Sequence, residues 1–224
     1  MVIIAVVVLA ALFLLPNVWA RWVINRHARP RSDYPGTGGE LARHLLERLG
    51  IEGVEVEVTE HGDHYDPSAR KVRLSPDHFD GRSLTAVTVA AHEVGHAIQH
   101  ARGYAPLLAR TRLVGVAQHA EKVGAVLMMA APFLFILTRL PGGMLLVVLA
   151  ALISFGTAAL VHLITLPVEF DASFQRALPL LKQYIPPYDM PAARHVLTAC
   201  AFTYVAASLA SVLNLGRWLV ILRR

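Results

Sequence analysis

Apolar residues of this 224-residue chain are concentrated in four long stretches, separated by segments in which polar and charged residues prevail. The stretches comprise residues 2–20, 123–138, 144–168 and 200–222. A helix needs about 20 predominantly apolar residues to cross the hydrocarbon core of a bilayer. The pattern therefore predicts about four transmembrane helices, of which the last either spans the membrane or lies at its interface. The second and third stretches are joined by a Pro-Gly-Gly turn and predict a helical hairpin.

The basic residues predict an orientation for these helices. Four arginines follow the first stretch closely: Arg21, Arg26, Arg29 and Arg31. A secretory signal peptide carries its positive charge before the apolar run, so the order here favours an uncleaved anchor. Because cytosolic segments are enriched in Lys and Arg, we expect the N-terminus outside and residues 20–122 and 169–199 together in the cytosol.

The polar segment of residues 23–122 has the pattern of a small α+β domain. Thr37 and Glu40 have the spacing of a helix capping box, and leucines at helical spacing follow them. Apolar and charged residues alternate strictly in residues 54–58 and again in residues 72–74, which predicts two strands. An extended substrate could pair with the second of these strands as a sheet edge.

The overall composition excludes several classes of protein. Hydrophobic residues make up 55% of the chain, charged residues 17%, and the mean hydropathy is +0.48. These values exclude a disordered chain and disfavour an ordinary soluble domain. The net charge of +5 comes from residues that flank apolar stretches or lie in one polar segment, so nucleic acid is not an expected partner. Cys200 is the only cysteine, which excludes an intrachain disulfide and a cysteine-based zinc cluster.

A predicted helix from Ser83 to about Ala101 carries the sequence His-Glu-Val-Gly-His. His92 and His96 are four residues apart, so one helix face can present both imidazoles to a single metal ion. Glu93 lies beside the first histidine and can act as a general base toward a water molecule on that metal. The mostly small and apolar neighbours indicate a packed helix and disfavour two incidental surface histidines.

A catalytic zinc site usually has three protein ligands and one position for water. The extended form of the motif is absent, because Gln99 and Arg102 replace its glycine and its third histidine. The candidates for a third ligand are His100, Glu121, His162, Glu169 and Asp171. We favour Glu169 because two predicted membrane crossings return it to the side that carries His96. Asp171 could orient a zinc-bound histidine through the second ring nitrogen.

Three sequence blocks together resemble the YugP-like neutral zinc metallopeptidases of bacterial membranes. The blocks are residues 63–67 (DHYDP), 92–100 (HEVGHAIQH) and 166–173 (LPVEFDAS). The resemblance covers nearly the whole chain and implies a gluzincin-like site with one Zn²⁺ per chain. The implied zinc ligands are His92, His96 and Glu169, with Glu93 as the catalytic base. More distantly similar CAAX-prenyl peptidases have an aspartate four residues after the third ligand, where this chain has Ser173.

The sequence thus predicts a mainly α membrane protein with about four transmembrane helices and a small α+β zincin-like cytosolic domain. The predicted segments are an anchor (1–22), the zinc-peptidase domain (23–122), a transmembrane hairpin (123–168), a cytosolic segment with the third ligand (169–199) and a C-terminal helix (200–224).

The expected function is a zinc endopeptidase of the bacterial inner membrane, with its active site facing the cytosol. Its expected partners are membrane-associated protein or peptide substrates and the lipid bilayer. The donor that stabilises the oxyanion stays open among His64, Tyr65, His195 and Tyr204. The alternative is an inactive metal-binding membrane scaffold or partner-binding protein, which would not need Glu93.

Overall fold

The computed structural model describes residues 15–138, 147, 149–150, 153 and 165–202. The chain divides into two compact units. One unit comprises Leu15–Leu108 and Leu166–Thr203, and it holds the sheet and the histidine helix. The other unit comprises Met1–Leu14, Ala109–Thr165 and Tyr204–Arg224. Within it, the structure describes most of one long helix.

The described residues are mostly helical. In chain order the helices are α1 (15–26), α2 (Gly38–Arg48), α3 (Pro76–Phe79), α4 (Leu84–Ala101), α5 (Ala105–Thr138), α6 (165–181) and α7 (190–202). Helix α6 is α-helical at first, becomes a π-helix over Asp171–Ala177 and ends with an α-helical turn, Leu178–Leu181. A 3₁₀ turn, Pro187–Asp189, precedes α7.

A three-stranded sheet lies between α2 and α4 in the sequence. It consists of β1 (Glu55–Val58), β2 (His64–Asp66) and β3 (Lys71–Leu74), in the spatial order β1-β3-β2. Strand β3 pairs in parallel with β1 and antiparallel with β2. The two predicted strands are therefore present, but β3 is central and has both edges occupied. An extended substrate cannot pair with residues 72–74 as we expected.

The predicted capping box begins α2. The Thr37 hydroxyl accepts a hydrogen bond from the Glu40 N–H at 3.2 Å, and the Glu40 carboxylate accepts one from the Thr37 N–H at 2.8 Å. These two bonds satisfy N–H groups that the first helical turn leaves without a partner. The capped helix buries Leu45 and Leu46 and packs against α4.

The core of this unit lies between the sheet and the helices. Tyr65, Val72 and Leu74 are buried on one face of the sheet, and both β2 and β3 contact α4. The opposite face is charged, and there Glu57 accepts hydrogen bonds from Lys71 and Arg73 at 2.7 Å each. Burial of one face and hydration of the other explains the strict alternation in the sequence.

The predictions of about four transmembrane helices and of a multi-pass inner-membrane protein with a cytosol-facing site are wrong. Among the helices that the structure describes, none combines the length and the apolar character required to cross a bilayer. The apolar part of α5, residues 123–138, shows the physical reason, because its 16 residues fall short of the about 20 required. Residues 1–14, most of 139–164, which include His162, and residues 203–224, which include Tyr204, lie outside the described residues.

Candidate metal centre

Helix α4 presents two buried histidines one turn apart. The helix starts at Ser83, whose hydroxyl accepts a hydrogen bond from the Ala86 N–H at 3.1 Å. The ring centroids of His92 and His96 are 4.8 Å apart, and the ring planes are inclined by 79°. Both side chains are buried. The spacing of four residues therefore places both imidazoles on one face, where they can meet a group from another element.

That group is Glu169 of α6, which is fully buried. Its Oε2 lies 3.3 Å from Nε2 of His92 and 3.2 Å from Nε2 of His96. The ligand atoms of the three residues all lie within 4.8 Å of one another, so the group could hold a metal ion. Our sequence argument for Glu169 relied on membrane crossings and is lost with them. The structure brings the three side chains together by packing α6 against α4.

A glycine allows the two helices to approach closely. An added Cβ at Gly95 would lie only 2.6 Å from the carbonyl oxygen of Ala172. No side chain fits that space without moving α6, so the glycine within the His-Glu-x-x-His sequence sets the separation of the helices. Ala172 belongs to the π-helical part of α6. Such wide turns occur frequently at functional sites.

His96 is held by a hydrogen-bonded chain of side chains. Its Nδ1 lies 3.0 Å from Oε1 of Gln99, one turn further along α4. The Gln99 amide nitrogen donates to the carbonyl of Val168 and to the carboxylate of Asp171, each at 2.8 Å. Asp171 also accepts a hydrogen bond from Arg176 at 3.1 Å. Asp171 is therefore linked to His96 through Gln99, and its role in orienting a zinc-bound histidine stays a prediction.

His92 is held by a shorter chain that ends on the backbone. The Ser173 hydroxyl lies 3.0 Å from Nδ1 of His92 and donates to the carbonyl of Leu197 in α7 at 3.2 Å. A hydroxyl that donates to a carbonyl accepts from its other neighbour, so Nδ1 of His92 is the donor. Ser173 stands at the position where the distantly similar peptidases have an aspartate, and it contacts the first histidine of the motif.

These hydrogen bonds determine the tautomers of both histidines. The Val168 carbonyl and the Asp171 carboxylate can only accept, so the amide nitrogen of Gln99 faces them and Oε1 of Gln99 faces His96. Each imidazole thus donates from Nδ1 and faces Glu169 with Nε2, the nitrogen that is left for a metal. Three potential ligand atoms thus converge in a buried space, where a cation could bind between them. Two imidazole nitrogens and one carboxylate oxygen form a donor set that suits catalytic Zn²⁺.

Glu93 lies in the same electrostatic neighbourhood. Its side chain is buried, next to His92 on α4. Burial raises the pKa of the Cys200 thiol well above its usual value, and the carboxylates of Glu93, Asp63 and Glu169 raise it further. One thiol on α7 is therefore within electrostatic reach of three carboxylates from three different segments.

The other candidate ligands have different surroundings. His100 is half-buried and its Nδ1 forms a 2.7 Å hydrogen bond with the hydroxyl of Tyr65, whose pKa is raised by burial. His64 bonds the Gly62 carbonyl through Nδ1 at 2.8 Å, and His195 is exposed on α7. Glu121 belongs to α5 in the other unit. Of the open oxyanion donors, Tyr65 is thus already engaged by His100.

Gln99 and Ser173 are the residues whose roles the sequence argument missed. Both appeared there only as departures from other motifs. Gln99 was visible as a polar residue three positions after His96, on the side of a packed helix where a polar group needs a partner. Its partners on α6 are about 70 positions away in the chain, so no local pattern identifies them.

Comparison with known proteins agrees with the geometry. Residues 2–223 match the family described as “Putative neutral zinc metallopeptidase”. The chain is also 37% identical over 212 residues to a protein of Bacillus subtilis (strain 168) named “Putative membrane protease YugP”, an alignment covering 92% of this chain and 91% of the relative. No solved structure is significantly similar.

Proposed function

Because the chain belongs to the family described as “Putative neutral zinc metallopeptidase”, we propose that it is a zinc-dependent endopeptidase. One Zn²⁺ per chain would be held by His92, His96 and Glu169, with Glu93 as general base. The observation that supports this most strongly is the convergence of two imidazole nitrogens and a carboxylate oxygen within 4.8 Å in a buried space.

The chemistry divides between the metal and the residues of the chain. A zinc ion held by His92, His96 and Glu169 would supply a water molecule with a pKa of about 7 and a Lewis acid for the substrate carbonyl. Glu93 takes the proton of the attacking water and passes it to the leaving amine, a task that suits a carboxylate held beside the ligands. Gln99 and Ser173 keep the two imidazoles in the tautomer that leaves Nε2 unprotonated.

The substrate would bind as an extended segment along β2. In the described sheet β2 is an outer strand, and it contacts α4, which carries the catalytic sequence. Backbone pairing with an outer strand binds peptides of varied sequence, as expected for an endopeptidase. We include membrane-associated proteins among the substrates because the named relative is called a membrane protease.

Substitution of Glu93 by Gln tests the proposal. The variant keeps size and hydrogen-bonding capacity but cannot accept the proton, so cleavage of casein should fall by about 10²- to 10⁴-fold while bound zinc stays equal to wild type. Glu47→Gln, the same change at an exposed residue of α2, is the matched control and should cleave normally.

Three results would overturn parts of this function. Cleavage by Glu93→Gln at the wild-type rate would remove Glu93 as the base. Cleavage that survives removal of zinc by a chelator would exclude a metallopeptidase. A wild-type protein that binds zinc and cleaves nothing would favour the alternative, a metal-binding scaffold.

A further inference from the structure

Gln99 contacts both helices that carry the proposed zinc ligands. From α4 it accepts the Nδ1 proton of His96 at 3.0 Å, and toward α6 it donates to Val168 and Asp171 at 2.8 Å each. Val168 directly precedes Glu169 in the chain. The Gln99 side chain is fully buried. A single amide thus fixes the ring of one ligand and the backbone next to another.

The amide is suited to this position because it both donates and accepts. Its nitrogen has two N–H groups and faces two groups that can only accept, Val168 and Asp171. Its oxygen then necessarily faces His96. A carboxylate at position 99 would accept from His96 but would repel Asp171, and an apolar side chain would provide neither contact. Arg176 pairs with Asp171 at 3.1 Å and holds that acceptor in place.

We propose that Gln99 is a positioning residue of the metal centre, which clamps His96 and Glu169 together at the separation that zinc requires. The inference rests on the proposed function, because it assumes that these residues bind the metal. The clamp acts in two ways. It selects the His96 tautomer with an unprotonated Nε2, and it joins α6 to α4 at the turn that carries Glu169.

The proposal predicts that exchanging the amide and the carboxylate between positions 99 and 171 restores part of the zinc affinity that Gln99→Glu alone loses. In Gln99→Glu two acceptors, the new carboxylate and that of Asp171, face one another, and zinc affinity should fall by about 10- to 100-fold, the usual effect of losing a partner behind a metal ligand. In Gln99→Glu combined with Asp171→Asn, the new amide can donate to the new carboxylate, so part of the affinity should return. Asp171→Asn alone should lower zinc affinity less than Gln99→Glu does, because an asparagine oxygen still accepts from Gln99.

The experiment measures zinc affinity of the full-length protein by competition with a chelator, together with the visible absorption of the Co²⁺ form. The absorption spectrum follows coordination geometry and would not change if Gln99 only stabilised the fold. Gln175→Glu is the matched control, since it makes the same substitution at an exposed residue of α6. Thermal unfolding of the metal-free proteins separates loss of metal affinity from loss of fold.

A second variant covers the case in which Gln99→Glu does not fold. Gln99→Met has a similar shape without repulsion toward Asp171, and it should also lose about 10- to 100-fold in affinity with an altered Co²⁺ spectrum. Wild-type affinity and spectrum in either folded variant would overturn the clamp. Equal effects of Asp171→Asn in the wild-type and Gln99→Glu backgrounds would overturn it as well. A wild-type protein that binds neither zinc nor Co²⁺ would overturn the proposed function itself.

Discussion

The two histidines of the His-Glu-x-x-His sequence are supported in different ways. His92 rests on one hydroxyl, Ser173, which is tied to a backbone carbonyl of α7 and is fully buried. His96 rests on a chain of side chains that passes through Gln99 and Asp171 and ends at Arg176, near the protein surface. The Arg176 and Asp171 side chains are 19% and 15% exposed.

This difference indicates where the proposed centre is rigid and where it is adjustable. The His92 support depends on helix packing and one neutral hydroxyl, so few substitutions can change it without changing the fold. The His96 support contains an amide and an ion pair, whose polarity can be changed while the shape is kept. Two histidines that look equivalent in the sequence should therefore respond differently to substitution.

The largest effect is expected where the two supports meet, at Glu169. Glu169→Ala removes the carboxylate that lies 3.2–3.3 Å from both imidazoles. Loss of a residue that supports a metal ligand lowers affinity by up to about 100-fold, so loss of the ligand itself should lower zinc affinity by more than that. Metal analysis of the purified variant after dialysis measures this loss. Full retention of zinc would transfer the role of third ligand to another group.

An intermediate effect is expected on the His92 side. Ser173→Ala removes the acceptor for Nδ1–H of His92, and zinc affinity should fall by about tenfold, toward the lower end of the usual range. The loss should be smaller than in Gln99→Met, because Ser173 supports one ligand whereas Gln99 contacts the surroundings of two. Chelator competition on the two variants side by side makes the comparison, and a larger loss in Ser173→Ala would reverse our ranking.

Much of the candidate site could be predicted from local sequence, and the remainder depends on contacts between distant segments. The cap at Ser83 and the spacing of His92 and His96 are local properties of one helix, and both are present as predicted. The contacts of Gln99 and Ser173 join α4 to α6 across 69 and 81 positions. The π-helix has no known residue pattern, so the register of α6 could not be derived.

The sequence predicted two of the three strands correctly, but its transmembrane prediction was wrong. Alternation identified β1 and β3, but β2 has only three residues, all of them titratable, and it was missed. Lengths of apolar runs gave the transmembrane prediction, which the described helices contradict. Run length measures hydrophobicity but does not determine where a helix begins and ends: α5 starts 18 positions before the apolar run at 123.

The smallest expected effect lies outside the proposed metal ligands, at Asp63. Burial raises the pKa of this carboxyl, but hydrogen bonds from His78 and Ser75 outweigh burial and leave the pKa below its usual value. Because the folded pKa is lower than the unfolded one, Asp63 stabilises the fold above about pH 4, and the contribution is lost as the pH falls through the folded pKa.

Asp63→Asn should therefore lower the free energy of unfolding by about 1 kcal/mol at neutral pH and reduce its dependence on pH in the acid range. Urea unfolding of the metal-free wild type and variant, between about pH 3 and 7, measures both effects. Parallel curves with equal acid slopes would show that this carboxyl contributes nothing to the pH dependence. The change concerns stability only, which separates it from the effects at Glu169 and Ser173.

The central claim is that one zinc ion binds to His92, His96 and Glu169. X-ray absorption at the zinc edge of the full-length protein, combined with metal analysis, tests it most directly. We predict one zinc per chain, surrounded by two imidazoles and oxygen ligands at about 2.0–2.2 Å. A sulfur neighbour at about 2.3 Å would assign the metal to Cys200, and a spectrum without imidazole would contradict the account.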